Sequence, residues 1–175
     1  MLYDIFQLLI ETLIIYFPAM AANGAPVLLV RGTPIDRGVL FIDGKRLLGD
    51  GKTIEGSLLF ILVGEAVGSI YSVYTRNIIY HVYGLLSGLG AWLGDIIGAF
   101  IKRRLGIERG APAPILDQTL FIVFASLIIK ISGIETLLNL NIDLRVYLCG
   151  VLIALILHVA TNYGAYILKL KKVPY

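Results

Sequence analysis

Five apolar runs, at about 2–30, 57–75, 78–101, 117–134 and 146–168, limit the folds open to this 175-residue chain. Each approaches or exceeds the roughly 20 residues that a membrane-spanning helix needs. With 58% hydrophobic residues and a mean hydropathy of +0.85, the chain is too apolar to hide its hydrophobic surface behind a water-facing shell. The expected fold is all-α and integral to the membrane: five transmembrane helices in a single domain over residues 1–175. The N-terminus lacks the basic lead and small-residue cleavage site of a secretory signal, so it is counted as mature structure. The lone Cys149 excludes an intrachain disulfide and a zinc cluster built on paired cysteines.

Charge placement orients the helices. Arg31, Arg37, Lys45, Arg46 and Lys52 fall in a first long loop, about 31–56, and Lys102, Arg103, Arg104 and Arg109 in a second, about 102–116. Lys169, Lys171 and Lys172 fall in the tail, so one side of a five-helix arrangement carries 12 of the 15 Lys and Arg residues. The positive-inside bias then predicts the N-terminus outside, with both long loops and the C-terminus in the cytoplasm of a multi-pass cell-membrane protein.

Chemistry is expected between Gly94 and Gln118, GDIIGAFIKRRLGIERGAPAPILDQ. Asp95 lies inside an apolar run, where a carboxylate is costly and by default functional. Lys102 follows seven residues later, on the same helix face and roughly 10 Å along the axis. Arg104 lies about 200° round the helix from Lys102, which predicts a surface or lipid head-group contact. The loop then returns a second acid, Asp117, to the same membrane edge. The alternative is that Asp95 pairs with a basic neighbour and only fixes helix packing.

Two further levels of polar residues are visible. In the first run, PAMAANGAP carries Pro18 and Pro26 around Asn23 and Gly24. A proline there frees a carbonyl that a neighbour must satisfy, and irregular backbone at membrane depth is tolerated beside a cavity. Asn23, Asp95 and Asn162 lie at similar depth, which predicts a pocket open to the cytoplasm. Nearer the midplane, Glu65 and His158 form a candidate hydrogen-bonded pair with a packing role.

The first loop, RGTPIDRGVLFIDGKRLLGDGKTIEG, admits a small hairpin around Asp43-Gly44 or an interfacial segment. It ends in Gly49-Asp50-Gly51-Lys52-Thr53 at the start of the second run. Glycines followed by Lys at a helix start can hold phosphate, or serve only as a polar cap. This is not a Walker A motif, because Arg46 stands where its first Gly belongs.

Two carboxylates among Lys and Arg at a membrane surface suit phosphate chemistry. The acids can hold Mg²⁺, and the cations can neutralise a polyphosphate leaving group. The basic loops lack aromatic interleaving, which argues against nucleic acid as a partner. Their other reading is contact with anionic lipids.

Gly94-Asp95, Lys102-Arg103 and Leu116-Asp117 resemble the C-terminal signature of the CTP-dependent phosphatidate cytidylyltransferases. Lys52-Thr53-Ile54-Glu55-Gly56 resembles that superfamily's upstream element, and the small size and PAMAANGAP resemble its archaeal branch, the CDP-archaeol synthases. The chain departs from the bacterial and eukaryotic pattern after Asp117: Gln118 replaces Arg, and Leu120 replaces a second acid. The resemblance implies transfer of CMP from CTP to the phosphate of an unsaturated archaetidic acid, a di-geranylgeranylglyceryl phosphate. It also implies roles for Asp95 and Asp117 as Mg²⁺ ligands, and for Lys52, Thr53, Lys102 and Arg103 as phosphate contacts. Asn23 would touch the nucleotide. A small ion-coupled transporter with Asp95 as its ion site is the rival class. The sequence is silent on oligomeric state.

Overall fold

A computed structural model of the chain describes residues 2–29, 31–108, 111, 113–167 and 169. Five long α-helices dominate: α1 (Leu2–Gly24), α2 (Ile54–Thr75), α3 (Ile79–Arg104), α4 (Pro114–Ile131) and α6 (Leu144–Ile167), with the short α5 (Ile134–Leu137) between the last two. No strand occurs among the described residues; two isolated bridges, Pro34 with Thr53 and Leu40 with Arg46, brace the first loop. The segments Tyr3–Leu28, Ile54–Thr75 and Ile79–Arg104 are each long and apolar enough to cross a membrane, and Leu144–Leu157 is a shorter apolar helical stretch. The molecule is an all-helical membrane protein.

Local signals explain where the helices begin. The Thr53 side chain caps α2 by accepting from the Gly56 N–H (3.0 Å), so α2 starts three residues before the apolar run. A proline opens α4, where its missing N–H costs nothing. The first helix is less broken than its prolines predict. It runs as α-helix through the buried Pro18, and turns 3-10 only at Ala25–Leu28, led by Gly24 and Pro26. Pro18 cannot donate to the Ile14 carbonyl, and the Tyr71 hydroxyl of α2 donates to it instead (3.0 Å). The Tyr83 hydroxyl of α3 donates to the next carbonyl, Ile15. The turn before Pro18 is thus tied to both neighbouring helices.

Helix α3 is the centre of the bundle, and glycines set how closely its neighbours approach. A Cβ on Gly64 would lie 2.6 Å from the Gly84 carbonyl oxygen, and one on Gly84 would lie 2.4 Å from the Gly64 carbonyl oxygen. This is backbone-to-backbone packing of α2 on α3 through small residues four apart. Gly94 does the same against Leu120 of α4. Asp95 is therefore held at a place where the α3 and α4 backbones almost touch.

Glu65 does find a hydrogen-bonded imidazole, but it belongs to His81. Glu65 Oε1 is 2.8 Å from His81 Nδ1, and Ser69 Oγ bonds both groups. The tight α2–α3 hairpin brings positions 65 and 81 together, a pairing not anticipated from the sequence. The side chains of His158 and Asn162 lie outside the described residues.

Candidate active site

At the end of the bundle where α1 and α3 finish and α2 and α4 start, the helices enclose a cavity of about 480 Å³. One wall carries charge. Lys52, at the last turn of the first loop, places Nζ 2.6 Å from both carboxylate oxygens of Asp95. Lys102, in the last turn of α3, places Nζ 2.5 Å from Asp117 Oδ1, in the first turn of α4. All four side chains are about three-quarters or more buried. Thr53 and Asn23 line the same space. Apolar side chains line the rest of it, Met20, Phe60, Phe121, Ala154 and Leu157 among them, with Trp92 donating its ring N–H to Ser57 Oγ (2.8 Å).

The expected site residues Asp95, Asp117, Lys102, Lys52, Thr53 and Asn23 thus share one cavity. Arg103 does not line it. It faces a neighbouring depression formed with Lys45, Arg46, Gly49, Asp50, Gly106, Ile107 and Glu108, because it is turned 100° from Lys102. Asp95 pairs with Lys52, 43 residues away, rather than with Lys102 on its own face.

The first loop folds into a brace that holds Lys52 over the cavity. The Gly44 N–H donates to the Phe41 carbonyl (2.9 Å) and the Phe41 N–H to the Lys45 carbonyl (2.8 Å), which makes the hairpin at Asp43-Gly44. Asp36 collects the Arg46 guanidinium (2.6 Å) and the N–H groups of Gly38, Leu48 and Gly49 (3.2, 2.9 and 2.8 Å). The Arg46 charge first, and these N–H groups after it, hold the Asp36 carboxyl well below the usual carboxylate range despite its burial. A depressed folded-state value stabilises the loop at all pH above the ordinary carboxylate range, and that contribution is lost only as pH falls below that range and through the depressed value. Neutral and mildly acidic conditions therefore leave the brace intact. At its other end, Glu55 accepts from Thr33 N (2.7 Å) and Thr33 Oγ1 (2.9 Å).

Arg104 corrects the expectation of a surface contact. Its guanidinium lies 4.7 Å from the Phe41 ring and 4.9 Å from the Phe100 ring, pairs with Asp43 (3.1 Å), and donates to the Arg46 carbonyl. Lys45 Nζ returns a bond to the Arg104 carbonyl (3.0 Å). Arg104 fastens the hairpin to the end of α3. Arg104→Ala should destabilise the protein by about 1–3 kcal/mol, from a lost cation–π contact and a partly buried charge network. Thermal unfolding in detergent measures this, and an unchanged midpoint would remove the fastening role.

Two carboxylates from different helices on one cavity fit a hard divalent cation that takes one or two protein oxygens and completes its shell with water and substrate phosphates. Among the described residues no group of three or more His, Cys, Asp or Glu is placed to hold a metal. The ammonium groups now on Asp95 and Asp117 mark positions where positive charge is already favoured.

The CarS-like CDP-archaeol synthase family model matches residues 5–175. The CDP-archaeol synthase of Sulfolobus acidocaldarius is 50% identical over 163 residues, covering 93% of this chain and 96% of that protein. The chain belongs to the CDP-archaeol synthase family. Relatives of the same name from Saccharolobus solfataricus and Aeropyrum pernix are 45% and 44% identical, over 95% of this chain and 96% and 92% of their own lengths. A solved structure of an intramembrane enzyme for archaeal membrane lipid biosynthesis superposes with a TM-score of 0.76 at 42% identity. It covers 88% of this chain and 94% of that one.

Within this CDP-archaeol synthase fold, two features escape sequence reasoning. Arg104 reads as one more charge in a basic cluster, and nothing in its spacing names Phe41 as its seat. Gln118 stands out in the sequence only as the residue after Asp117. In the fold it is 2% exposed, it lines the cavity, and its Oε1 has no hydrogen-bond partner among the described residues.

Proposed function

We propose that the chain works as a single five-span domain, with its cavity open to the cytoplasm of the cell membrane. There it transfers the cytidylyl group of CTP to 2,3-bis-O-geranylgeranylglyceryl phosphate. Membership of the CDP-archaeol synthase family makes it a CTP-dependent cytidylyltransferase of archaeal ether-lipid synthesis. The observation that carries the site assignment is that both carboxylate–ammonium pairs open on one cavity that apolar side chains also line. The topology is supported by the cationic loops, since the first loop and the Lys102–Arg104 end of α3 lie at the same end of the bundle.

In the reaction, a lipid phosphate oxygen attacks the α-phosphorus of CTP. The bond from that phosphorus to the bridging oxygen breaks, and the electron pair leaves with pyrophosphate. The attacking oxygen is already anionic, so alignment and charge neutralisation supply most of the catalysis. Asp95 and Asp117 would hold Mg²⁺, which when bound neutralises the triphosphate. Lys52 and Lys102 transfer their ammonium groups from the carboxylates to the phosphates, and the Thr53 hydroxyl and the N-terminus of α2 add dipoles facing the anion. Asn23 contacts the nucleotide from the last turn of α1. Arg103, in the adjoining depression, acts on the phosphates only from outside the cavity. The apolar side chains lie beside the isoprenoid chains and the base.

Purified protein incubated with labelled CTP, Mg²⁺ and ether-lipid phosphate should form a CDP-lipid and pyrophosphate, with dCTP also serving and ATP or GTP failing. Chelation of the metal should stop turnover. Comparable rates with all four nucleotides would reduce the cavity to a generic phosphate site. Cation flux through proteoliposomes without nucleotide transfer would favour an ion-coupled transporter.

A further inference from the structure

Resting on that reading, we infer that Gln118 selects the base: its side-chain oxygen accepts a hydrogen bond from the 4-amino group of cytosine. The starting point is an unfilled hydrogen bond. Gln118 is 2% exposed and lines the cavity, yet Oε1 is buried without a hydrogen-bond partner among the described residues. The charged groups and the hydroxyl nearby already have partners: Lys52 with Asp95, Lys102 with Asp117, and Thr53 with the Gly56 N–H, while Asn23 lines the cavity from α1. A buried amide oxygen left open in a substrate cavity is satisfied when a donor arrives.

The substrates differ sharply in what they can donate. An ether-lipid phosphate carries ether oxygens, hydrocarbon and an anionic phosphate, all acceptors or apolar. Only the nucleotide brings donors: the exocyclic amine of the base and the ribose hydroxyls. The surroundings of Gln118 choose between these. Gln118, Phe121 and Ile122 fall on one face of α4, at i, i+3 and i+4, and Gln118 is turned 100° from the Asp117 carboxylate. Phe121 lines the cavity beside Gln118, and Ile122 is fully buried. A flat heterocycle with one edge amine matches an aromatic and apolar surface that carries a buried acceptor. Ribose hydroxyls match the charged wall. The same oxygen disfavours uracil, which presents a carbonyl where cytosine presents the amine, and two acceptors then face each other.

The test compares wild type with Gln118→Met, which keeps length and volume but cannot accept this bond. The probes are CTP, UTP and the triphosphate of 2-pyrimidinone riboside, which lacks the 4-amino group. Wild type should lose about tenfold or more in kcat/KM when the amine is removed. Gln118→Met should lose as much with CTP, and the two losses should not add when mutant and analogue are combined. The CTP-to-UTP ratio should collapse in the mutant. Losses that multiply would overturn the assignment, as would a mutant penalty that disappears with 3′-deoxy-CTP rather than with the pyrimidinone. If Gln118→Met fails to fold, the wild-type comparison still decides: equal kcat/KM for CTP and the pyrimidinone analogue overturns it. A wild type that transfers no nucleotide from CTP would instead sink the cytidylyltransferase reading.

Discussion

Asp95→Asn and Asp117→Asn should each lower cytidylyl transfer by about a thousandfold or more while leaving a folded protein. Each change keeps the shape and a hydrogen-bond acceptor for its lysine partner, Lys52 or Lys102, but removes the negative charge a divalent cation needs. The carboxylates are about three-quarters buried rather than sealed, so the lysine left behind is still reached by water and folding survives. Single-turnover rates with saturating Mg²⁺, set beside the thermal unfolding midpoint of each variant, measure the effect. Near-wild-type transfer by either variant would remove that residue from the metal site. A loss of midpoint in proportion to the loss of rate would mean that Asp95 serves only to hold Lys52 and the first loop in place.

Lys102→Ala should cost turnover about a hundredfold or more, with little change in stability. The ammonium sits in the last turn of α3, against Asp117, where the departing pyrophosphate gathers charge on the proposed mechanism. Removing it leaves Asp117 with the bond from the Ala113 N–H (3.3 Å) among the described residues, and open to the cavity water. The contrast with Arg104→Ala is the informative part. Arg104 acts through Phe41, Asp43 and the Arg46 carbonyl, so its loss should lower the unfolding midpoint and raise KM while leaving the saturated rate near normal. A kinetic comparison of the two variants separates a group that touches the reacting phosphates from one that braces a loop. Equal losses of saturated rate at unchanged stability would show that the two cations act on the same phosphates.

Much of the helical frame was legible in the chain because its signals are local. A run of about 20 apolar residues leaves no other fold for its backbone polar groups in a bilayer, so the long helices follow from composition. Pro18 guaranteed a freed carbonyl, and Asp95 within an apolar run marked a site by its cost alone. Partner choice was not local. That Lys52 reaches Asp95, that Lys102 turns to Asp117, and that Glu65 meets His81 all depend on how closely α2 and α4 approach α3. Gly64, Gly84 and Gly94 set that approach through backbone contacts that periodicity does not encode. Helical angle did separate Arg104 from Lys102, but Arg103 was expected beside Lys102 and lines the neighbouring depression instead. Only the folded first loop, laying Phe41 against Phe100, made Arg104 a fastener, and only the closing of five helices around one cavity left the Gln118 oxygen buried and, among the described residues, unmatched.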